Sequence, residues 1–157
     1  MGQIKKVSFF AEDIEMPAFF AEAVVLKWFA QIASVFHVKL GELSFIFCTD
    51  EYILEINNQY LSHDYYTDVI TFDYTEKEVL SGDIFISLDT VLSNSEEYHT
   101  DFEEEFHRVL CHSLLHLIGF KDKTDADSAV MRENEEKCLE LFKNLSSGLP
   151  KNGRILN

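Results

Sequence analysis

Two histidines four residues apart, His112 and His116 in FHRVLCHSLLHLIGFKDKTD, are the residues whose type and spacing call for a chemical explanation. On a helix, positions i and i+4 project from one face. Gly119 follows three residues later, where a helix can end in the left-handed conformation that a Cβ disfavours. The chain can then swing Asp122 back toward the imidazoles, giving His-x3-His-x5-Asp. Two imidazoles and a carboxylate suit a zinc ion that keeps one position for water. A plainer reading is an ordinary buried polar pair, although unpartnered imidazole is costly to bury and His binds metals readily. An Asp after a helix is by itself a common turn or cap residue. The pattern leaves open whether the ion would act on a substrate or hold the fold.

Zinc in such a set lowers the pKa of water and polarises a carbonyl or phosphoryl oxygen, so hydrolysis is the natural reaction. Peptidase chemistry of the His-Glu-x-x-His type is disfavoured, because Ser113 stands where the glutamate base would be. The base has to be the ion's own water or a side chain from another segment.

The helix that carries the pair needs a start and a wall. Asp101 followed by Glu104 has the spacing of a reciprocal cap. Phe102, Phe106, Val109, Leu110, Leu114, Leu117 and Ile118 supply its packing side. Thr124 with Asp127 forms a second cap, before a helix from Ala126 to Leu145. There Val130, Met131, Cys138, Leu141, Phe142 and Leu145 can pack, while the acidic positions form a solvated face. Met131 is either core or a wall of the pocket.

Upstream, strands are expected at Ile4 to Phe10, Val38 to Cys48 with Gly41 as a possible bulge, Val69 to Phe72, and Gly82 to Ser87. Pro17 can open a helix from Ala18 to His37, with Phe19, Ala23, Leu26, Ala30 and Ala33 at helical spacing and Trp28 and Phe29 as packing residues. Thr49 or Asp50 caps a helix ending at Leu61, and Ser87 or Asp89 begins another that runs from Leu88 to His99. Tyr74 to Leu80 reads as an exposed connection or hairpin. Asp83, awkward at the mouth of an apolar strand, is either a plain strand-end charge or a carboxylate that orders the nearby site. Helices alternate with strands early and dominate late, which predicts a single α+β domain over residues 1–157, a small mixed sheet packed against helices, with a loose tail from Ser146. Strand order is not legible.

Composition bounds the function. With 157 residues, 46% of them hydrophobic, the chain can bury a proper core, and fourteen Phe against one Trp make that core aromatic. A formal charge of -15 argues against loose, charge-driven adhesion to nucleic acid or anionic membrane. Cys48, Cys111 and Cys138 form no Cys-x2-Cys pair and read as small buried hydrophobes. There is no signal-peptide pattern and no apolar run long enough to span a bilayer, so the expected location is the cytoplasm, without a membrane partner.

HSLLHLIGFKD, with LEINNQYLSHDYYTDVITFDY and SGDIFIS upstream, resembles the YbeY family of metal-dependent endoribonucleases, the rRNA maturation factors. The family motif is His-Gly-x-Leu-His-Leu-x-Gly-Tyr-Asp-His, whose three histidines bind zinc. His112 and His116 match the first two, Leu115, Leu117 and Gly119 match the framework, Phe120 stands for Tyr, Lys121 replaces Asp, and Asp122 occupies the place of the third His. A carboxylate there still completes the shell but makes the ion a weaker Lewis acid. The family arginine after Asn-x-x-Tyr is Leu61 here, so a phosphate contact must come from elsewhere, with His63, or Lys121 and Lys123, as candidates. Should Asp122 not be a ligand, His63, His99 and His107 are the remaining imidazoles to consider. The resemblance implies one zinc ion per chain and single-strand cleavage in ribosomal RNA maturation, at the 3′ end of the small-subunit RNA, and in ribosome quality control. Its partners would be ribosomal RNA and ribosomal proteins. The alternatives are a ribosome-associated assembly factor whose metal is structural and a zinc hydrolase on another substrate.

Overall fold

A computed structural model describes residues 6–61 and 68–147. Its elements are β1 (Val7–Ala11), α1 (Glu22–Val35), β2 (Lys39–Cys48), α2 (Asp50–Leu61), β3 (Val69–Asp73), β4 (Val79–Ser87), α3 (Leu88–Glu97), α4 (Phe102–Ile118) and α5 (Asp125–Ser147). The sheet runs β1-β2-β4-β3. The first three strands in that order are parallel, and β3 closes a hairpin onto β4 as an antiparallel edge. This is the expected α+β domain with a mixed sheet.

Alternation along the strands separates two faces. Leu43, Phe45 and Phe47 of β2 and Leu80, Ile84 and Ile86 of β4 pack with α1, α3, α4 and α5 in the main core. On the opposite face Cys48, Ile53 and Ile70 form a smaller cluster under α2, with Tyr52, Ile56, Phe72 and Phe85. In the β3–β4 register, Val69 opposes Ile86 and Thr71 opposes Ile84, which puts Val69, Thr71 and Asp73 on the face that carries α4. Asp83 opposes Phe72 and lies on the α2 face, so it is not the carboxylate that orders the histidine site. Gly41 does sit in a bulge: β2 advances three residues from Leu40 to Leu43 while β4 advances two, and a Cβ at Gly41 would come 2.6 Å from the Leu80 carbonyl oxygen.

Several helical expectations change. The first helix begins at Glu22, not Ala18, because the Phe20 amide closes a turn onto the Pro17 carbonyl at 3.0 Å. That turn directs Phe19 onto Phe102 and Phe106 and Phe20 onto Phe9, Phe47 and Phe106, so aromatic burial wins over helical continuation. Its buried stripe is Val25, Trp28, Phe29, Ile32 and Ala33, with Ala23 and Ala30 exposed. Asp101 is the N-cap residue of α4 but makes no side-chain cap bond; three acidic residues in the first turn favour that end through the helix dipole. On α5, Thr124 caps as expected, its hydroxyl accepting the Asp127 amide at 3.0 Å. Val130, however, is 46% exposed, and Met131, Cys138 and Leu139 form the buried stripe instead. Helix α5 continues through Ser147, two residues into the expected tail. No described helix is long and apolar enough to cross a membrane.

Trp28 fastens α1 to α5 by donating its indole N–H to the Cys138 carbonyl at 2.7 Å. Beside it, His107 of α4 is 4% exposed and stacks on Phe142 with ring centroids 4.0 Å apart. Burial pushes its pKa down to about 4 from an ordinary 6.5, against a hydrogen bond to the Glu103 backbone. The unfolded chain therefore takes this proton near pH 6.5 and the folded one only near 4, so stability falls as pH drops through that window. Between pH 7 and pH 5 His107 should account for about 2 kcal/mol of the loss. Urea unfolding of His107→Phe at both pH values checks this: the variant should lose that much less than wild type, and equal losses would refute a neutral buried imidazole.

Candidate metal centre

Helix α4 presents His112 and His116 side by side, ring centroids 4.6 Å apart, from a row whose other faces are locked in the core. Gly119 ends the helix at φ 127°, its amide bonded to the Leu115 and His116 carbonyls at 3.1 Å each. The Phe120 amide also bonds to Leu115 at 3.0 Å, and the Phe120 ring packs edge-on against Phe36. This reversal brings Asp122 Oδ2 to 3.5 Å from both His112 Nε2 and His116 Nε2. The three ligand atoms lie within 4.8 Å of one another. A tetrahedral ion with bonds near 2.0–2.1 Å needs ligands ~3.4 Å apart, which the Asp122 distances to both histidines meet.

Behind His112 stands Glu135 of α5, its Oε2 accepting from Nδ1 at 2.6 Å. That bond directs the Nε2 lone pair toward Asp122, the arrangement in which a carboxylate fixes a ligating histidine. Glu135 Oε1 accepts from Arg108 Nη1 at 2.9 Å, and Arg108 Nη2 reaches Glu136 at 2.6 Å and Glu104 at 3.8 Å. Burial raises the Glu135 pKa, but hydrogen bonds from His112 and Arg108 outweigh it and hold the carboxyl below its ordinary value. For His112 burial pulls downward, and the Glu135 bond, with the charges of Glu135, Asp122 and Asp68, leaves it raised.

The histidines floor a cleft of roughly 380 Å³ against the β3 edge, lined also by Asp68, Val69, Thr71, Asp73, Leu117 and Asp122. A second hollow of about 180 Å³ shares His112 and Asp122 and is walled by Ser128, Met131, Arg132 and Glu135. Met131 is both core and wall.

His112, His116 and Asp122 are thus brought together as the spacing suggested. Lys121 and Lys123 are exposed and line neither hollow. Ser113 is fully buried, its hydroxyl donating to Val109 O at 2.9 Å. His63 lies outside the described residues. His107 is in the core, and His99 is exposed at φ 57° beyond α3. Glu135 was hidden within the acidic run expected to face solvent; that expectation holds for Glu133, Glu136 and Glu140 but not for Glu135, which is 6% exposed. Its spacing of four from Met131 and three from Cys138 places it on the buried stripe, the signal that could have found it.

The family model for endoribonuclease YbeY matches residues 6–143. The chain belongs to the YbeY endoribonuclease family. It is 51% identical over 136 residues to endoribonuclease YbeY of Parabacteroides distasonis, covering 87% of this chain and 95% of that one. With endoribonuclease YbeY of Porphyromonas gingivalis it shares 46% over 138 residues, covering 88% and 91%. With that of Bacteroides fragilis it shares 46% over 137 residues, covering 87% and 98%. A solution structure from Thermotoga maritima, 23% identical, superposes with a TM-score of 0.61 over 94% of this chain and 99% of that one, which places the two in one fold. Every element that builds the YbeY-type cleft here, from β3 to the reversal at Gly119 and the Glu135 support, falls inside the matched residues.

Proposed function

We propose that this chain is a zinc-dependent endoribonuclease that cuts single-stranded RNA in the cytoplasm during ribosomal RNA maturation, at the 3′ end of the small-subunit RNA, and in ribosome quality control. The observation that carries the reading is the His112, His116 and Asp122 group, supported by Glu135, at the floor of an open cleft. Two imidazoles and one carboxylate favour zinc over magnesium, which prefers six oxygen ligands. When bound, the ion supplies a polarised water and a Lewis acid for the phosphoryl oxygen.

The protein's own groups do the rest. Glu135 holds His112 in one tautomer and one orientation. Asp68, which faces the cleft without belonging to the ligand group, is placed to accept the proton released by the attacking water. Lys121, next to Asp122 in the sequence, and His63 are the further groups proposed to contact the phosphate. Ribosomal proteins with basic surfaces would meet the exposed Glu133, Glu136 and Glu140 of α5, which reconciles an RNA substrate with a charge of -15.

Substitution of Asp122 tests the ligand set. Zinc affinity should be kept or tightened in Asp122→His and loosened in Asp122→Ala, measured by competition with a chromogenic chelator. Equal affinity in all three proteins would make Asp122 a turn residue. Run beside it, cleavage of a small-subunit precursor RNA should follow zinc occupancy. Wild type that binds zinc yet leaves this RNA intact with every divalent ion would point to an assembly factor with a structural metal, and hydrolysis of other substrates alone to a different zinc hydrolase.

A further inference from the structure

Three carboxylates, Asp68, Asp73 and Asp122, face the principal cleft, so even a divalent ion leaves negative charge in excess there. A phosphodiester entering it needs a further cation. Arg108 is not available, since Glu104, Glu135 and Glu136 surround its guanidinium at 3.8, 2.9 and 2.6 Å.

Arg132 differs in every respect. It is exposed, lines the hollow that shares His112 and Asp122, and no ion pair or hydrogen bond ties its guanidinium to another described residue. Its place on α5 is fixed from both sides. Four residues before it, Ser128 donates its hydroxyl to the Asp122 carbonyl at 3.4 Å. Three residues after it, Glu135 accepts from His112 Nδ1 at 2.6 Å. Residues three and four apart share a helix face. Arg132 therefore sits in a row whose neighbours on both sides touch ligand residues. Burial raises the pKa of Glu105 on α4, and the charges of Arg108 and, less, Arg132 oppose that rise, so the Arg132 charge is felt at the seam between α4 and α5.

We propose that Arg132 is the guanidinium that binds a phosphate of the RNA beside the metal centre. A planar fork of N–H donors takes two phosphate oxygens at once, fixing the backbone as well as neutralising it. Approach from α5 brings that phosphate to the hollow that shares His112 and Asp122. This assignment rests on the endoribonuclease reading and names the group that recognises its substrate.

The experiment compares wild type, Arg132→Gln and Arg132→Lys, all zinc-loaded. Binding of a fluorescein-labelled 2′-O-methyl single strand is followed by anisotropy across a salt series, and cleavage of the unmodified RNA is measured in parallel. Arg132→Gln should lower kcat/KM roughly 10- to 100-fold, the range for a lost hydrogen bond to a charged group. It should also make the slope of log affinity against log salt shallower by about 0.7, the loss of one phosphate contact on a single strand. Zinc stoichiometry and Tm should stay at wild-type values, because the side chain is exposed. Arg132→Lys should restore the salt slope but only part of the rate. A Gln variant with wild-type slope and rate overturns the assignment while leaving the nuclease reading intact. Wild type that neither binds nor cuts RNA overturns both.

Discussion

His116→Ala should remove the proposed zinc and RNA cleavage together and leave the fold as it is. The His116 side chain is 37% exposed, and its neighbours at the site are the His112 ring and Asp122. Truncation orphans no buried group, so the metal-free variant should unfold within about 0.5 kcal/mol of metal-free wild type. Loss of one donor in three is a different matter. Groups that only orient a ligand are worth about 10- to 100-fold in metal affinity, and a ligand itself is worth at least the upper figure. Equilibrium dialysis should find no bound zinc in the variant, and a chelator should lower Tm in wild type but not in the variant. Cleavage that persists in zinc-free His116→Ala would place the chemistry elsewhere. His112→Ala is the poorer test, since it also strips Glu135 of a hydrogen bond in a buried cluster.

Much of this site was legible because its pieces are local. His112, His116 and Asp122 lie within eleven residues, and helical periodicity plus one glycine suffice to converge them. Local rules also placed the Thr124 and Ser87 caps and the Gly41 bulge. What local reasoning lacks is the other half of each contact. Phe19 fits a helical stripe, yet the rings of Phe102 and Phe106, far along the chain, hold it in a turn before α1. Asp83 reads from sequence as either a strand-end charge or a site residue, and only the hairpin register decides, by putting it on the α2 face. Strand order brings Asp68, Thr71 and Asp73 against the histidines; the stretch from Tyr74 to Leu80 was legible as a connection or hairpin, but not the place of its two strands in the sheet. Glu135 belongs with these: an acid amid acids becomes a buried partner only because α5 crosses α4 at Arg108 and His112.

That crossing makes Glu135 the residue whose loss does two kinds of damage, and two substitutions separate them. Glu135→Ala leaves His112 Nδ1 without its acceptor and Arg108, whose side chain is 13% exposed, with only Glu136 and Glu104. Removing one member of such a pair costs about 3 kcal/mol, which urea unfolding should show as a lower midpoint at unchanged slope. Glu135→Gln keeps the volume. Its amide oxygen can accept from His112 or from Arg108, and its NH2 then opposes the other donor, so stability falls less while orientation of His112 is still degraded. Both variants should bind zinc about 10- to 100-fold more weakly than wild type. A second readout isolates the histidine from the fold. In the metal-free protein burial pulls the His112 pKa down, and Glu135 is the largest of the groups that hold it up. With Gln there, the downward pull faces weaker opposition from the charges of Asp122 and Asp68, so the His112 ring signal in an NMR pH titration should move to a lower midpoint. An unchanged midpoint with weakened zinc would mean that Glu135 acts through the packing of α5 on α4 and not through the imidazole; a shifted midpoint ties metal affinity to the one hydrogen bond at Nδ1.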